Sequence, residues 1–579
     1  MLMRIPLIGF FLIATQAWSQ TACEGTSAYA PCELSFELTA AEAAAHPNPY
    51  AGVEFQAEFR SPRFHTYLMP GFWNGGRKLV IRFTPTEAGA WTYRLTSNLA
   101  SLEGKQGAFT ATESDAPGYV HAANVHHWAT DNKQPHLWMS WILDRFGSLG
   151  SAEFEQAITV AAAAKFTHVR GSTLGSEAEQ SRAFSGPDSP NLGYFDELDR
   201  RVLSVHRRRI ITDVVLASNP AALMKLFPDW QSRKRFIRFV VARYGALNVT
   251  WQGLEEFEGH ANGRTLLKEL GLALKALDPY QHPRSSNAKV TSSPLLGDGW
   301  MDFVIDHSGN DQIGAVEHQL YQVPFVGVTT VQHLWNSTMD GQYPMISGSF
   351  NKEPVFWYGI ISDTRHWELE PYFDLDAARA IALEDVEYVV YVEKSAPIEL
   401  TVEKHGYDIL WFDPEGGDMK EQKKYKGEHF TGQPPSGAHP WILLVAREGR
   451  KESMLRSYKF ESRNVPVQEV EQNPQKVPFQ IAQPASDTLS LSAPANFAVK
   501  LTRETRATRS VMYVWTGEVP ADGEGFRVLG TGAQGSFRIP ADIAARSPAG
   551  FPKVLSVRVN ALNANGKAYS ADKVYTLTQ

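Results

Sequence analysis

Short runs of alternating apolar and polar residues fill the amino-terminal part of the chain. In each run apolar side chains occupy every second position, and turn-forming residues such as those of Asn74-Gly75-Gly76 separate the runs. This period of two places alternate side chains on one face of a strand. The clearest runs are residues 34–38, 53–59, 79–83 and 91–95. The pattern predicts an antiparallel β-sandwich over residues 23–120.

From residue 121 to 385 the pattern changes to strand-like runs followed by helical ones. Apolar residues recur with helical spacing over residues 195–208, 230–244 and 264–277. Alternating strands and helices indicate a parallel sheet, and a span of about 260 residues suits a (β/α)8 TIM barrel of about 250. The eight predicted strands are residues 136–142, 166–170, 210–216, 249–254, 287–291, 303–306, 324–328 and 343–347.

Beyond the predicted barrel the chain returns to strand-like patterns. Residues 386–462 predict a second β-sandwich, and residues 463–490, rich in Pro, Gln and Val, predict a linker. Residues 491–579 predict a small immunoglobulin-like or fibronectin-like β module.

Residues 1–22 have the pattern of an export signal. Arg4 precedes a mostly apolar run, residues 5–18, that is too short to span a membrane. The protein is therefore expected to be secreted or periplasmic, where its two cysteines, Cys23 and Cys32, would form a disulfide. The alternative is a lipid anchor on Cys23. Gln20 argues against this alternative, because a signal for lipid attachment is expected to have an apolar residue at that position.

Composition and charge narrow the class of partner. The chain has 579 residues, of which 43% are hydrophobic and 21% charged, a globular composition. Its 56 basic and 63 acidic residues give a net charge of −7, so no general attraction to nucleic acid is expected. No segment after the signal is long and apolar enough to cross a bilayer. Nothing in the sequence indicates an oligomeric state.

Three carboxylates lie within four positions at the end of the predicted fourth barrel strand: Glu255, Glu256 and Glu258. Active sites of such barrels collect at the carboxyl ends of the strands, and glycoside hydrolysis needs a carboxylic acid with a raised pKa there. The alternative is a solvated loop that follows a strand.

Several motifs resemble those of multi-domain bacterial glycoside hydrolases. The early motifs resemble the uncharacterised β-sandwich at the front of such enzymes, the predicted barrel resembles an apiosidase-like (collagenase-like) barrel, and residues 388–445 resemble a domain catalogued as the collagen-binding domain of a collagenase. The order of these three units along the chain matches that of the family. The motifs are Phe59-Arg60-Ser61-Pro62, Gly71-Phe72-Trp73-Asn74-Gly75-Gly76, Gly89-Ala90-Trp91-Thr92-Tyr93 and Trp411-Phe412-Asp413-Pro414-Glu415-Gly416-Gly417. The chain contains no His-Glu-x-x-His protease motif.

The resemblance implies that Glu256 is the acid/base residue at the end of strand four. Glu255 stands where related barrels have an asparagine. Adjacent residues of a regular strand point to opposite faces, so Glu255 and Glu256 are not expected to enter one pocket together. Glu258 could share a face with Glu256 and raise its pKa.

The second catalytic carboxylate is less clear, because the predicted strand seven contains none. Asp306, at the end of strand six, is the best substitute and could act as the base of an inverting mechanism across about 6.5 to 9.5 Å. A loop-capping role for Asp306 is the alternative. Glu317 lies in a helical pattern and is expected to face solvent, and Asp340 reads as a turn residue.

Sugar binding requires aromatic surfaces and polar groups near the ends of the strands. Arg170 could orient a site carboxylate or hold a loop. The aromatic and histidine candidates are Trp141, Trp251, His307, Tyr321, His333 and Trp335. No histidine spacing indicates a metal site, and no cofactor is predicted.

These patterns predict a secreted glycoside hydrolase acting on a plant or microbial polysaccharide or oligosaccharide. The alternative is an inactive carbohydrate-binding or scaffold protein on a decayed barrel. An adhesion role for the β units rests on a domain name alone.

Overall fold

The computed structural model describes residues 23–260, 262–437, 440–448, 479–501, 508–517, 527–539, 553–563 and 566–578. The predicted export signal, residues 1–22, and the first part of the predicted linker, residues 463–478, lie outside these ranges. Within the described ranges, no helix combines the length and apolar character needed to cross a bilayer.

The amino-terminal unit is a pair of antiparallel sheets, ordered β1-β5-β4 and β3-β2-β6-β7. Its aromatic core includes the stacked rings of Phe59 and Phe83, with centroids 3.7 Å apart. A disulfide joins Cys23 to Cys32, the first residue of β1. The elements are β1 (Cys32–Glu37), α1 (Ala40–Ala45), α2 (Pro49–Gly52), β2 (Phe55–Arg60), β3 (Thr66–Pro70), β4 (Phe72–Trp73), β5 (Lys78–Phe83), β6 (Gly89–Ser97) and β7 (Gln106–Ala111).

A hairpin of β8 (Val120–Ala123) and β9 (His127–Thr130) leads into an eight-stranded parallel sheet. The sheet has the order β14-β13-β12-β11-β10-β17-β16-β15, as a (β/α)8 barrel requires. Its strands are β10 (Ser140–Ile142), β11 (His168–Leu174), β12 (Ile211–Ala217), β13 (Val249–Leu254), β14 (Arg284–Ser285), β15 (Val304–Asp306), β16 (Phe325–Thr329) and β17 (Tyr343–Ile346).

Helices surround the barrel, except after β14. There the connection is a short 3₁₀ segment, Ser293–Asp298, in place of an α-helix. The barrel closes between its edge strands through the amide of Asp302, which donates to the carbonyl of Arg284 at 2.8 Å. The helices are α3 (Ser151–Ala163), α4 (Glu177–Ala183), α5 (Leu192–Arg207), α6 (Pro220–Leu226), α7 (Trp230–Tyr244), α8 (Gly263–Leu277), α9 (Asp311–Leu320), α10 (Leu334–Met339) and α11 (Glu353–Ser362).

A buried hydrogen-bond network joins four neighbouring strands inside the barrel. Asp213 of β12 accepts from the Ser140 hydroxyl at 2.6 Å, from His168 Nδ1 at 2.7 Å and from the Thr250 hydroxyl at 2.8 Å. All four side chains are buried. Because a buried carboxylate is costly without partners, this network favours the observed register of β10 to β13.

The predicted fifth strand is displaced. The sequence placed it at residues 287–291, whereas the structure has β14 at Arg284–Ser285. Residues 287–291 instead lie in the loop beyond the strand, at the barrel mouth. Strand five is only two residues long and polar, so it lacks an alternation that would reveal it.

An antiparallel sheet follows, ordered β18-β19-β20-β23-β21-β22. It begins at Glu370, so residues 370–385, which the sequence assigned to the barrel, supply its first strands. The elements are β18 (Glu370–Tyr372), β19 (Arg379–Leu383), β20 (Glu387–Val392), β21 (Ile398–Phe412), β22 (Met419–Gly432) and β23 (Trp441–Arg447).

The last unit has two sheets, ordered β24-β26-β29 and β25-β31-β30-β27-β28. Its first two strands lie inside the predicted linker, where Phe479 and Leu489 enter a buried core. The strands are β24 (Phe479–Gln483), β25 (Thr488–Ser490), β26 (Ala495–Leu501), β27 (Thr508–Gly517), β28 (Arg527–Thr531), β29 (Gln534–Phe537), β30 (Lys553–Asn563) and β31 (Ala568–Thr578). The fold is therefore a (β/α)8 barrel flanked by mainly antiparallel β units.

Buried charges join the amino-terminal sandwich to the barrel. Arg82 of β5 donates to Asp199 of α5 at 2.8 Å and also to the carbonyl of Arg243 in α7. Arg243 in turn contacts Asp199 at 3.0 Å and donates to Asn74 of the sandwich at 2.6 Å. The two units are thus fixed to each other by paired, largely buried charges.

Candidate active site

A cavity of about 330 Å³ lies at the carboxyl ends of barrel strands three to six. This is the end at which (β/α)8 barrels place their active sites, and the volume suits a small ligand. The residues that line it are Ser218, Asn219, Pro220, Ala221, Glu255, Glu256, Gly259, His260, Asn287 and His307. Glu255 and Glu256 are the acidic residues among them.

The backbone at Glu256 explains how two adjacent carboxylates reach one cavity. Its φ of 42° and ψ of 42° are left-handed, a conformation uncommon outside glycine. The Glu256 amide donates to the Asn287 carbonyl at 3.0 Å, and its carbonyl accepts from Gly259 at 2.9 Å, which holds the turn. The sequence predicted that the two side chains would point to opposite faces, as in a regular strand. That prediction is wrong because β13 ends at Leu254, before either glutamate.

Glu255 is held as an anion by Arg170. Arg170, at 5% side-chain exposure, forms an ion pair with Glu255 and also donates to Gln252 Oε1 at 2.6 Å. Burial raises the pKa of Glu255, but Arg170, the Ser218 hydroxyl and His307 together outweigh burial, so that the pKa lies below its usual value. Glu255 therefore carries a fixed negative charge at neutral pH.

Glu256 and Glu258 have different surroundings. The Glu256 side chain is exposed at the rim of the cavity. Glu258 does not line the cavity: its Oε1 accepts from the Lys289 amide at 3.1 Å, and burial raises its pKa. The structure thus pairs Glu256 with Glu255 at the cavity, whereas the sequence suggested Glu258 as its neighbour.

Asp306 lies beneath the cavity wall. It is 4% exposed and accepts from the Ser308 amide at 2.8 Å and from Gln342 Nε2 at 2.7 Å. Burial raises its pKa. Its side chain is not part of the cavity lining, which corresponds to the loop-capping alternative.

Glu317 does not face solvent, contrary to the sequence expectation. It is fully buried and accepts hydroxyl hydrogen bonds from Thr291 at 2.6 Å and Ser293 at 2.5 Å. Burial and the negative charge of Asp306 raise the pKa of Glu317 to about 8. Asp306 and Glu317 thus form a buried carboxyl pair behind the cavity, in which Glu317 retains its proton at neutral pH.

Three of the predicted sugar-binding aromatics lie away from the cavity, in or against the core. Trp251 is fully buried, and its indole donates to Asp278 at 3.0 Å on the outer side of the barrel. Trp335 is 4% exposed, within the main core. Tyr321 follows α9, and its ring packs against that core. A tryptophan near a strand end most often fills the space between barrel and helices.

The other candidates divide between the rim and the wall. Trp141 donates to the Gly348 carbonyl at 3.0 Å and packs against Phe350, with centroids 5.2 Å apart. His333 is exposed beyond β16. His307 lines the cavity, and its Nδ1 has no hydrogen-bond partner among the described residues. Of these six candidates, His307 alone lines the cavity.

The sequence reading missed Asn219, His260 and Asn287. Asn219 caps α6 through its side chain, which accepts from Ala222 at 2.9 Å, and Asn287 Oδ1 is buried with no hydrogen-bond partner in the described part of the chain. Asn219 lies two residues beyond the end of β12, at the carboxyl end where active-site residues of this fold lie.

A larger cavity, of about 490 Å³, lies at the opposite end of the barrel. Its lining includes Arg82 of the sandwich and Asn248, which immediately precedes β13. It therefore lies at the amino ends of the strands, where residues of this fold serve stability and not catalysis.

Comparisons with known proteins agree with this architecture. The profile of a domain of unknown function, DUF5060, matches residues 26–98, within the amino-terminal sandwich. No curated protein gives a significant match.

Two solved structures share the fold. A candidate glycoside hydrolase from Bacteroides vulgatus is 16% identical with a TM-score of 0.63, over 73% of this chain and 100% of that one. A second, described as a glycoside hydrolase, is 13% identical with a TM-score of 0.50, over 58% of this chain and 98% of that one. At these identities the likeness shows a common fold. The chain's structural neighbours are thus glycoside hydrolases of low sequence identity.

Proposed function

We propose that this protein is a secreted glycoside hydrolase that cleaves glycosidic bonds in a plant or microbial polysaccharide. The observation that carries the proposal is the pair Glu255 and Glu256, two carboxylates in unlike surroundings on one cavity at the strand ends. Such a pair can divide the roles of charged and protonated carboxyl group. Export through residues 1–22 is part of the same proposal.

In this scheme Glu256 donates a proton to the leaving oxygen, water adds to the anomeric carbon, and the ionised Glu256 accepts the proton that this water releases. Glu255, held ionised by Arg170, faces a transition state in which the sugar ring carries positive charge, and it stabilises that charge. Asp306 has no catalytic role in this scheme, because it is buried behind the wall.

Polar groups of the wall are available to bind sugar hydroxyls. Asn287 Oδ1 and His307 Nδ1 line the cavity and have no hydrogen-bond partner in the described residues. A ligand hydroxyl that reaches them would recover hydrogen bonds that the protein alone leaves unmade. These two atoms are therefore our candidates for substrate orientation.

The second candidate is a carbohydrate-binding protein without turnover. It is favoured by one observation: β16, which is barrel strand seven, consists of Phe325-Val326-Gly327-Val328-Thr329 and has no carboxylate. In this case the same cavity would bind a sugar, and neither glutamate would be needed for a reaction.

The test uses the mature chain and a panel of aryl glycosides and polysaccharides. Glu256→Gln is expected to slow hydrolysis of poor leaving groups by about 10² to 10⁴-fold, because general acid catalysis contributes about that much. Activated leaving groups need no proton, so dinitrophenyl glycosides should be affected much less. Glu255→Gln is expected to slow both classes.

The matched control is Glu153→Gln, on the outer helix α3, where Glu153 is 60% exposed. Equal losses for good and poor leaving groups in Glu256→Gln would contradict the assignment of the proton donor. Saturable glycan binding with no hydrolysis of any bound glycan would instead favour the second candidate.

A further inference from the structure

Three segments that are distant in the sequence meet near the amino ends of barrel strands seven and eight, away from the candidate active site. His126 lies in the turn between β8 and β9, His318 lies in α9, and Glu370 begins β18. His126 and Glu370 are 244 residues apart, so no short motif could have indicated that they meet.

Their ligand atoms converge on one point. Nδ1 of His126 lies 3.1 Å from each carboxylate oxygen of Glu370, and Nε2 of His318 lies 3.1 Å from Oε2 of the same carboxylate. One nitrogen or oxygen from each residue lies within 4.8 Å of the other two. Bonds of about 2.0 to 2.2 Å place neighbouring ligand atoms of a tetrahedral zinc site roughly 3.3 Å apart.

A further contact orients the His126 ring. Its Nε2 lies 2.9 Å from the carbonyl oxygen of Tyr321, which can only accept a hydrogen bond. Nδ1 is therefore the ring nitrogen that faces Glu370, and a carbonyl partner for the second ring nitrogen is typical of metal-bound histidine.

A third imidazole also approaches the cluster. The Nε2 of His127 lies 3.4 Å from Oε1 of Glu370, while its Nδ1 contacts the Tyr343 hydroxyl at 2.9 Å. The side chains of His127 and His318 are 4% and 1% exposed. His127 is therefore placed to serve as an additional ligand.

The surroundings of His318 hold its ring in place. Gly341, at φ +78°, packs so closely that a Cβ there would lie 2.6 Å from Cδ2 and 2.7 Å from Nε2 of His318. Neither ring nitrogen of His318 forms a hydrogen bond within the described residues. Glu370 is 41% exposed, which leaves the cluster open to an ion and to a water ligand.

We propose that His126, His318 and Glu370 bind a divalent transition-metal ion of the zinc class. Two imidazoles and one carboxylate form a known type of zinc ligand set, which a water or His127 would complete. Because the three ligands belong to the β8–β9 hairpin, to the barrel helix α9 and to the sheet of β18 to β23, the ion links these parts of the fold. This inference is independent of the proposed hydrolase activity.

The test uses the untagged mature chain after dialysis against a chelator. Titration with Zn²⁺ against a chromophoric competitor is expected to give one tight site per chain, and Co²⁺ is expected to give the visible absorption of a tetrahedral site. The melting temperature of the barrel and of the sheet of β18 to β23 should rise with Zn²⁺ and fall with chelator.

Glu370→Gln and His126→Asn should each weaken zinc binding at least about tenfold, as loss of a ligand does. Glu370→Gln is nearly isosteric and half exposed, so it is expected to fold, which circular dichroism would check. The matched control is His405→Gln, because His405 also pairs with a glutamate, Glu403, at 3.2 Å but belongs to no three-ligand cluster among the described residues. No binding by the wild-type chain, or binding that survives both ligand substitutions, would overturn the proposal.

Discussion

Replacement of Arg170 by methionine gives the sharpest check on the candidate site, because it changes charge at nearly constant length. The substitution removes the ion-pair partner of Glu255 and the donor 2.6 Å from Gln252. Breaking a fully buried pair costs about 3 to 5 kcal/mol. Glu255 is 21% exposed, so water recovers part of this loss, and we expect about 2 to 4 kcal/mol at neutral pH.

The loss should depend on pH in a defined direction. Arg170 holds the folded-state pKa of Glu255 below its ordinary value, so its contribution is present above that value and disappears as pH falls through the lowered pKa. In Arg170→Met only the Ser218 hydroxyl and His307 still oppose burial, and the pKa of Glu255 rises. The difference in stability between the two proteins should therefore shrink as pH falls through the interval between the two pKa values.

Native-state hydrogen exchange of peptides from β11 and β13 is the suitable assay, because it reports the barrel separately from the β units. Measurements near pH 7, 5 and 4 on Arg170→Met, Glu255→Gln and the double variant complete a mutant cycle. A loss under about 1 kcal/mol, a loss independent of pH, or additive single effects would refute the reasoning.

Two further predictions concern stability. The folded-state pKa of Glu317 is about 8, against an ordinary 4.5. The free energy of unfolding of the wild type should therefore fall as pH rises across that range, because only the unfolded chain releases the proton. Urea unfolding of Glu317→Gln at pH 5 and pH 8 should lack this fall, and an equal fall in both proteins would contradict the prediction. Replacing Cys23 and Cys32 by serine should lower the free energy of unfolding of the amino-terminal sandwich by about 2 to 3 kcal/mol on the chain-entropy model. Thermal unfolding of the wild type should show a similar loss when reductant is added. If reductant also destabilises the serine variant, the loss does not come from the disulfide.

The barrel could be predicted from the sequence where its elements follow a strong period. The fourth strand and α7 occur at the predicted residues, Val249–Leu254 and Trp230–Tyr244. Strand five could not be found, because Arg284–Ser285 is too short to show alternation. The linker was drawn too long because Pro and Gln obscure the isolated apolar anchors Phe479 and Leu489.

The site was predictable in place but not in detail. The strand-end position of Glu255 and Glu256 follows from barrel topology, whereas their shared cavity depends on one left-handed residue that no period reveals. The prediction that Glu317 faces solvent was wrong, because a helical pattern does not show whether a polar position is buried. The hydroxyl groups that satisfy the buried carboxyl belong to Thr291 and Ser293, in another segment of the chain. The cluster at His318 depends on contacts between distant segments, which are visible only in three dimensions.

The paired charges of Arg82, Asp199 and Arg243 bear on how such a protein can change during evolution. Exchange of the front sandwich for a foreign one would remove Arg82 and Asn74 and leave the buried pair Asp199–Arg243 with fewer partners, and few replacement sequences would supply matching ones. Recombination between relatives should therefore be tolerated more readily behind the barrel than in front of it, and the first two units are expected to be inherited as a single piece.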